Sequence, residues 1–223
     1  GFGGGSSMDT AKIIAVLLNS TQKLEEIYGM GNIKGGRSAM ALVPTTSGTG
    51  SEVTDIAVVT TDDDQKMGIL GDQMFADVAI LDPALTHGLP RHVTAATGVD
   101  AMVHAIEAYT NRHRKNPVSD ALAREALKLL AANIVEACEN PSNTQARANM
   151  LLGAMLAGQA FTNSPVGAVH GMAYPLGALF HIPHGASNAL MLEPVLRFSA
   201  SAAAPLYAEL GDVIGANATG GYG

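Results

Sequence analysis

Tryptophan is absent from the 223-residue chain and cysteine occurs once, as Cys138. A single thiol excludes an internal disulfide and fits a reducing compartment, so the expected location is the cytoplasm. Charge is scarce as well. Thirteen Lys and Arg stand against twenty Asp and Glu, a formal net charge of −7 with no basic block. Binding a phosphate backbone needs clustered cations, which argues against a nucleic-acid partner. No apolar run approaches the roughly 20 residues of a membrane span, and the IIAVLL segment is short and belongs to an amphipathic helix. With five Phe and five Tyr, the core must be filled by aliphatic side chains. What remains is the composition of a soluble enzyme acting on small molecules.

Against that plain background four potential metal ligands stand out. Asp100 and His104 lie within GVDAMVHAIEAY, and His170 and His184 bracket the stretch from VHGMAYPLG to HIPHG. Three imidazoles and one carboxylate suffice to hold a divalent transition metal with a coordination position open. Asp100 and His104, four apart on a helix, project from one face one turn apart. His170 and His184 reach them only if their Gly/Pro-broken segment folds back across that helix. Taken singly, each His reads as a buried group satisfying hydrogen bonds. Glu107, one turn beyond His104, either orients that imidazole or faces solvent. His181 reads as a neighbour of the site, and Phe161 as a core aromatic or a wall of the substrate pocket.

Two small-residue loops supply a second, independent signal. Gly3 to Gly5 and two serines directly precede a helical pattern, where close backbone approach and free N–H groups favour an anion, although an ordinary Gly-rich turn reads equally well. Thr45, Thr46, Ser47 and Thr49, interleaved with Gly48 and Gly50, follow a strand-like stretch. In an open α/β sheet ligands bind at such strand ends.

The organisation reads as an α/β N-terminal part, an incomplete dinucleotide-binding sheet over residues 1–88, followed by an all-α helical metal-binding domain over 89–223. The first part has a helix near Met8–Ser20 and strands near Ser38–Val43, Ile56–Thr61, Lys66–Leu70 and Val78–Leu81. DDD at Asp62 to Asp64 reads as a solvated turn. The second part has apolar residues three and four apart in AATGVDAMVHAIEAY, SDALAREALKLLAANIVEAC, TQARANMLLGAMLAGQAF and His184–Ser199.

The ordered motifs GGGSSMDTAK, PTTSGTGSEVT, LDPALTHGLP, TAATGVDAMVHAIEAYT and HGMAYPLGALFHIPHG resemble those of the iron-containing (group III) alcohol dehydrogenases. The resemblance implies Asp100, His104, His170 and His184 as ligands of Fe²⁺, or of Zn²⁺ as in some relatives, and NAD or NADP as the cofactor. It implies Gly4, Gly5 and Ser6 at the pyrophosphate, Thr45, Thr46 and Thr54 along the cofactor groove, and Lys66 and Leu85 near the ribose and nicotinamide. Many relatives carry a histidine, proposed to relay a proton, where Tyr174 stands here. A phenol is a poor base near neutral pH, so Tyr174 is a candidate relay or a packing residue.

The implied reaction moves a hydride between the nicotinamide and an alcohol, aldehyde or ketone, in a homo-oligomer of dimeric type. Compared with such relatives the chain reads as an internal fragment, and the missing helices predict exposed apolar faces with a tendency to aggregate or to pair with another copy. Two alternatives stand beside this. One is a metal-dependent NAD-using lyase of the dehydroquinate synthase kind, disfavoured by the few basic residues. The other is a catalytically inactive truncated metal-binding fragment.

Overall fold

The computed structural model describes residues 1–61, 63 and 65–216. Of the Asp62 to Asp64 run, only Asp63 is described, exposed at a turn. The glycine-rich tail lies outside the described residues beyond Ala216.

All strands precede residue 80 and are short. β1 (Phe2–Gly3), β3 (Ala41–Pro44) and β6 (Val78–Ala79) form one parallel sheet in the order β1-β3-β6. β2 (Gly29–Met30), β5 (Lys66–Leu70) and β4 (Ile56–Thr60) form a second sheet, in which β4 and β5 run antiparallel with Thr60 opposite Lys66. The sheet anticipated from the sequence is therefore two sheets. The two-residue strands β1 and β2 escaped notice because alternation over two residues leaves no periodic signal.

Helix α1 (Gly5–Leu17) begins three residues earlier than its apolar pattern suggests, since glycine and serine open it. Its inner face fills both sheets' cores: Met8 and Ala15 meet Met40 and Leu42, while Ile13 and Val16 meet Ala57 and Ile69. Lys12 is also fully buried there. Its Nζ donates to the Thr54 carbonyl at 3.0 Å, to Thr54 Oγ1 at 3.0 Å and to the Ile56 carbonyl at 2.8 Å, which offsets much of the cost of sequestering an ammonium. Burial lowers its pKa to about 8, against the opposing pull of Asp9.

Five helices follow: α2 (Arg91–Thr110), α3 (Pro117–Glu139), α4 (Thr144–Asn163), α5 (Ala168–Phe180) and α6 (His184–Val213). Asn116 and Asn143 cap α3 and α4 through their side-chain oxygens, each at the turn residue the sequence places before the apolar pattern. The interfaces among α2, α3 and α4 are lined by alanine, including Ala101, Ala105, Ala126, Ala154 and Ala157, all almost fully buried. Such small side chains let the three backbones approach closely. α5 overturns the expectation of a broken connection between His170 and His184. It is a helix despite Pro175 in its interior, and it ends at His181 in the left-handed conformation (φ 53°). α6 runs well past Ser199, through Pro194 and Pro205. Among the described residues no helix is long and apolar enough to cross a membrane.

Candidate metal centre and adjoining cleft

Asp100 and His104 project from α2 into the helical layer, as their spacing of four dictates, and both are buried. The turn between α5 and α6 folds the chain back over them. His170 comes from the first turn of α5, and His184 opens α6. Gly185 makes the approach possible: a Cβ there would sit 2.1 Å from the Ala96 carbonyl oxygen of α2. The first turn of α6 thus presses directly on the helix that carries Asp100.

Asp100 lies within reach of both His170 and His184, and His104 joins Asp100 and His170 in one cluster. Asp100 Oδ1 lies 3.7 Å from His170 Nε2 and 3.6 Å from His184 Nε2. Donor atoms of Asp100, His104 and His170 all fall within 4.8 Å of one another. The His104 ring stacks on His170 at 4.6 Å between centroids and on Phe161 at 4.5 Å. Donors held about 2.0–2.2 Å from a tetrahedral cation stand roughly 3.4 Å from each other. The observed Asp100–His170 and Asp100–His184 separations are close to that spacing, so this donor set fits a divalent transition ion.

Glu107 corrects the sequence expectation, because it serves His170 and not His104. Its Oε2 lies 2.6 Å from His170 Nδ1, and its Oε1 accepts the Val169 N–H at 2.7 Å. It therefore caps the start of α5 and fixes the imidazole so that Nε2 faces Asp100. Burial alone would lower the His170 pKa, but the nearby Asp100 carboxylate and the hydrogen bond to Glu107 outweigh it and raise it to about 9. Burial dominates at His104 and pulls it to about 4, with Asp100 pulling the other way. The neighbouring imidazoles hold the Asp100 carboxyl well below its ordinary range despite its burial.

These residues form one wall of a 330 Å³ cavity whose other wall comes from the N-terminal part. Gly5, Ser6, Asp9, Thr49, Thr54 and Lys66 line that side, and Phe161 and Tyr174 complete the helical side. Helix α1 starts without a side-chain cap, so its first N–H groups are open to a ligand. Gly5 is required by close packing, since a Cβ would meet Thr49 Cγ2 at 2.7 Å.

Several expected cofactor residues are placed differently. Thr54 touches the cavity but is almost fully buried, its hydroxyl engaged by Lys12 Nζ. Gly4, Thr45, Thr46 and Leu85 do not line the cavity. Gly4 faces Thr46, Thr45 donates its backbone N–H to the Gly3 carbonyl, and Leu85 lies in the short helical turn Pro83–Thr86. Tyr174 stacks over His184 at 5.7 Å, with Lys66 Nζ 6.0 Å from its ring centre. Its burial raises its pKa further, with Asp100 and Glu107 adding to the rise. His181 is exposed and lies outside the cavity lining.

Sequence reasoning missed Asp9, Lys12 and Asn188. Asp9 accepts Ser51 Oγ at 2.6 Å and the Val58 N–H at 3.0 Å, tying α1 to β4. Asn188 follows His184 by four residues on α6, a same-face spacing that could have drawn attention to it.

The family model described as Fe-containing alcohol dehydrogenase family, C-terminal, matches residues 94–221, and that described as iron-containing alcohol dehydrogenase matches residues 1–83. The chain belongs to the iron-containing alcohol dehydrogenase family. It is 42% identical over 222 residues to Long-chain-alcohol dehydrogenase 1 of Geobacillus thermodenitrificans, covering 98% of this chain and 56% of that protein. It superposes on the crystal structure of 1,3-propanediol oxidoreductase with a TM-score of 0.94 at 40% identity, covering 98% of this chain and 57% of the other. On sulfoacetaldehyde reductase from Bifidobacterium kashiwanohense in complex with NAD⁺ the TM-score is 0.83 at 32% identity, over 96% of this chain and 62% of the other. The chain thus spans little more than half the length of the relatives it matches.

Proposed function

We propose an oxidoreductase that moves a hydride between NAD(P) and a primary or secondary alcohol, or the aldehyde or ketone the alcohol becomes. The observation that carries this reading is the single cavity lined by four metal-type donors, three of them within 4.8 Å of one another, and by the uncapped start of α1. In this reading Asp100, His104, His170 and His184 hold Fe²⁺ or Zn²⁺, and residues 89–223 form the metal-binding part. Residues 1–88 contribute the partial dinucleotide-binding part, with Gly5 and Ser6 at the pyrophosphate and Lys66 near the ribose. The NAD⁺ complex of the sulfoacetaldehyde reductase supports the choice of cofactor class. The bound ion supplies Lewis acidity towards the substrate oxygen.

The chain's own groups do the rest. Glu107 orients His170, and Phe161 with the His104 ring keeps one side of the cavity apolar, which limits water near the reacting carbon. Tyr174 stays protonated at neutral pH, so it offers a hydroxyl beside His184 and does not act as a free base. The single thiol supports a cytoplasmic location. Exposed apolar residues along α5 and α6, Phe180, Leu190 and Phe198 among them, support a homo-oligomer.

The test adds Fe²⁺ or Zn²⁺, a nicotinamide cofactor and a panel of small alcohols, and follows the nicotinamide absorbance band. His184→Ala should remove bound metal and turnover together. Undiminished turnover after chelation would overturn the proposal.

A further inference from the structure

We propose that Asn188 is a positioning residue for the metal donors, whose side-chain amide group stands where the cation goes and swings out as the ion enters. This rests on the reading that Asp100, His104, His170 and His184 hold the ion.

Asn188 is completely buried on α6, one turn beyond His184. Its Nδ2 donates to Asp100 Oδ1 at 2.6 Å and lies 3.2 Å from His170 Nε2 and 3.3 Å from His184 Nε2. Asp100 Oδ1 is the closest of the three and takes one of the two amide hydrogens. On the far side, Asn188 Oδ1 is buried with no hydrogen-bond partner among the described residues. The side chain is therefore held by its nitrogen alone, and its oxygen contributes nothing to keeping it in place.

The physical reason for such an arrangement is electrostatic. The Asp100 carboxylate is buried beside the His170 and His184 rings, and the NH₂ end of an amide is the positive end of a dipole, which stabilises that carboxylate and holds it there. An ion within about 2.0–2.2 Å of the same three atoms would overlap that NH₂ group. The two cannot be present together. Gly185, pressed against Ala96, fixes the backbone of this turn, so the amide leaves by rotating its side chain and not by moving α6. Asn188 accordingly keeps the donors gathered and, by the same contact, competes with the cation for them.

The experiment strips the full chain with a chelator and titrates it with Co²⁺, read by its visible ligand-field bands, alongside thermal melts of the stripped protein. Asn188→Ala should lower the melting temperature of the stripped protein and tighten Co²⁺ binding about tenfold, because a charge-assisted hydrogen bond no longer has to be broken. Asn188→Ser, too short to reach Asp100, should do the same and serves if the Ala variant does not fold. A lower melting temperature with unchanged or weaker Co²⁺ binding in the variants would overturn the proposal, since that is how a purely packing residue behaves. Asp100→Asn and His184→Ala separate the two layers of the argument. If they abolish Co²⁺ binding while the Asn188 variants fail to tighten it, the role of Asn188 falls alone. If they leave the Co²⁺ bands of the parent protein unchanged, the ligand reading falls and this inference with it.

Discussion

The two walls of the cavity are built by different means. On the helical wall, the candidate donors are side chains: Asp100, His104 and His170 are buried, Glu107 holds His170 and Asn188 holds Asp100, each at 2.6 Å, and His104 is held by ring stacking. On the sheet wall, the candidate ligand groups are backbone at the start of α1, positioned by strands of two to five residues, by the half-buried Asp9 and by the buried Lys12. The helical wall is set by which residues are present. The sheet wall is set by where the main chain runs, and its identity-bearing residues, such as Lys66, stay exposed.

The same substitution on each wall tests that division. Gly185→Ala would force a Cβ to within 2.1 Å of the Ala96 carbonyl, a backbone atom that cannot turn aside. We expect a loss of about 2–3 kcal/mol in stability, as for overpacking, and metal binding weakened more than about tenfold. Dinucleotide affinity, measured by fluorescence quenching, should hardly change. Gly5→Ala meets a threonine methyl at 2.7 Å, which has more freedom to move. The expected cost is about 1–2 kcal/mol, with weaker dinucleotide binding and unaltered metal content by elemental analysis. Metal loss in Gly5→Ala, or dinucleotide loss in Gly185→Ala of equal size, would show that the walls are not separable.

A third effect, confined to stability, concerns Glu52, buried on the sheet side. Burial raises its carboxyl from 4.5 to about 7, a rise that the Lys12 charge only partly opposes. Between those values the folded chain keeps a proton that the unfolded chain has lost. The stability cost is therefore absent below pH 4.5, grows as pH rises and is complete above pH 7. Glu52→Gln should flatten that slope and gain on the order of 2 kcal/mol above pH 7, as read from urea midpoints across pH. An unchanged slope would mean that the carboxyl is solvated.

The contrast between the walls also explains what was legible in the sequence. Asp100 and His104 could be placed on one helical face because four-residue spacing on a helix is a geometric certainty once the helix is granted. The helices α2, α3 and α4 were readable for the same reason. The convergence of His170 and His184 was not, since it depends on α5 forming through Gly171 and Pro175 and on Gly185 seating against Ala96, which are contacts between segments far apart in the chain. Glu107 read as orienting the nearer histidine or facing solvent, and its partner lies 63 residues away. On the sheet wall, the resemblance put Thr54 along the cofactor groove, and only the fold reveals that Lys12 engages its hydroxyl.

Pro175 carries one more consequence. It has no N–H to give the Gly171 carbonyl one turn back, and Gly171 borders a recess of 620 Å³ shared with Lys66, Tyr174 and Gln65. The helix therefore lacks one main-chain hydrogen bond in the turn that borders this recess, beside Lys66 and Tyr174.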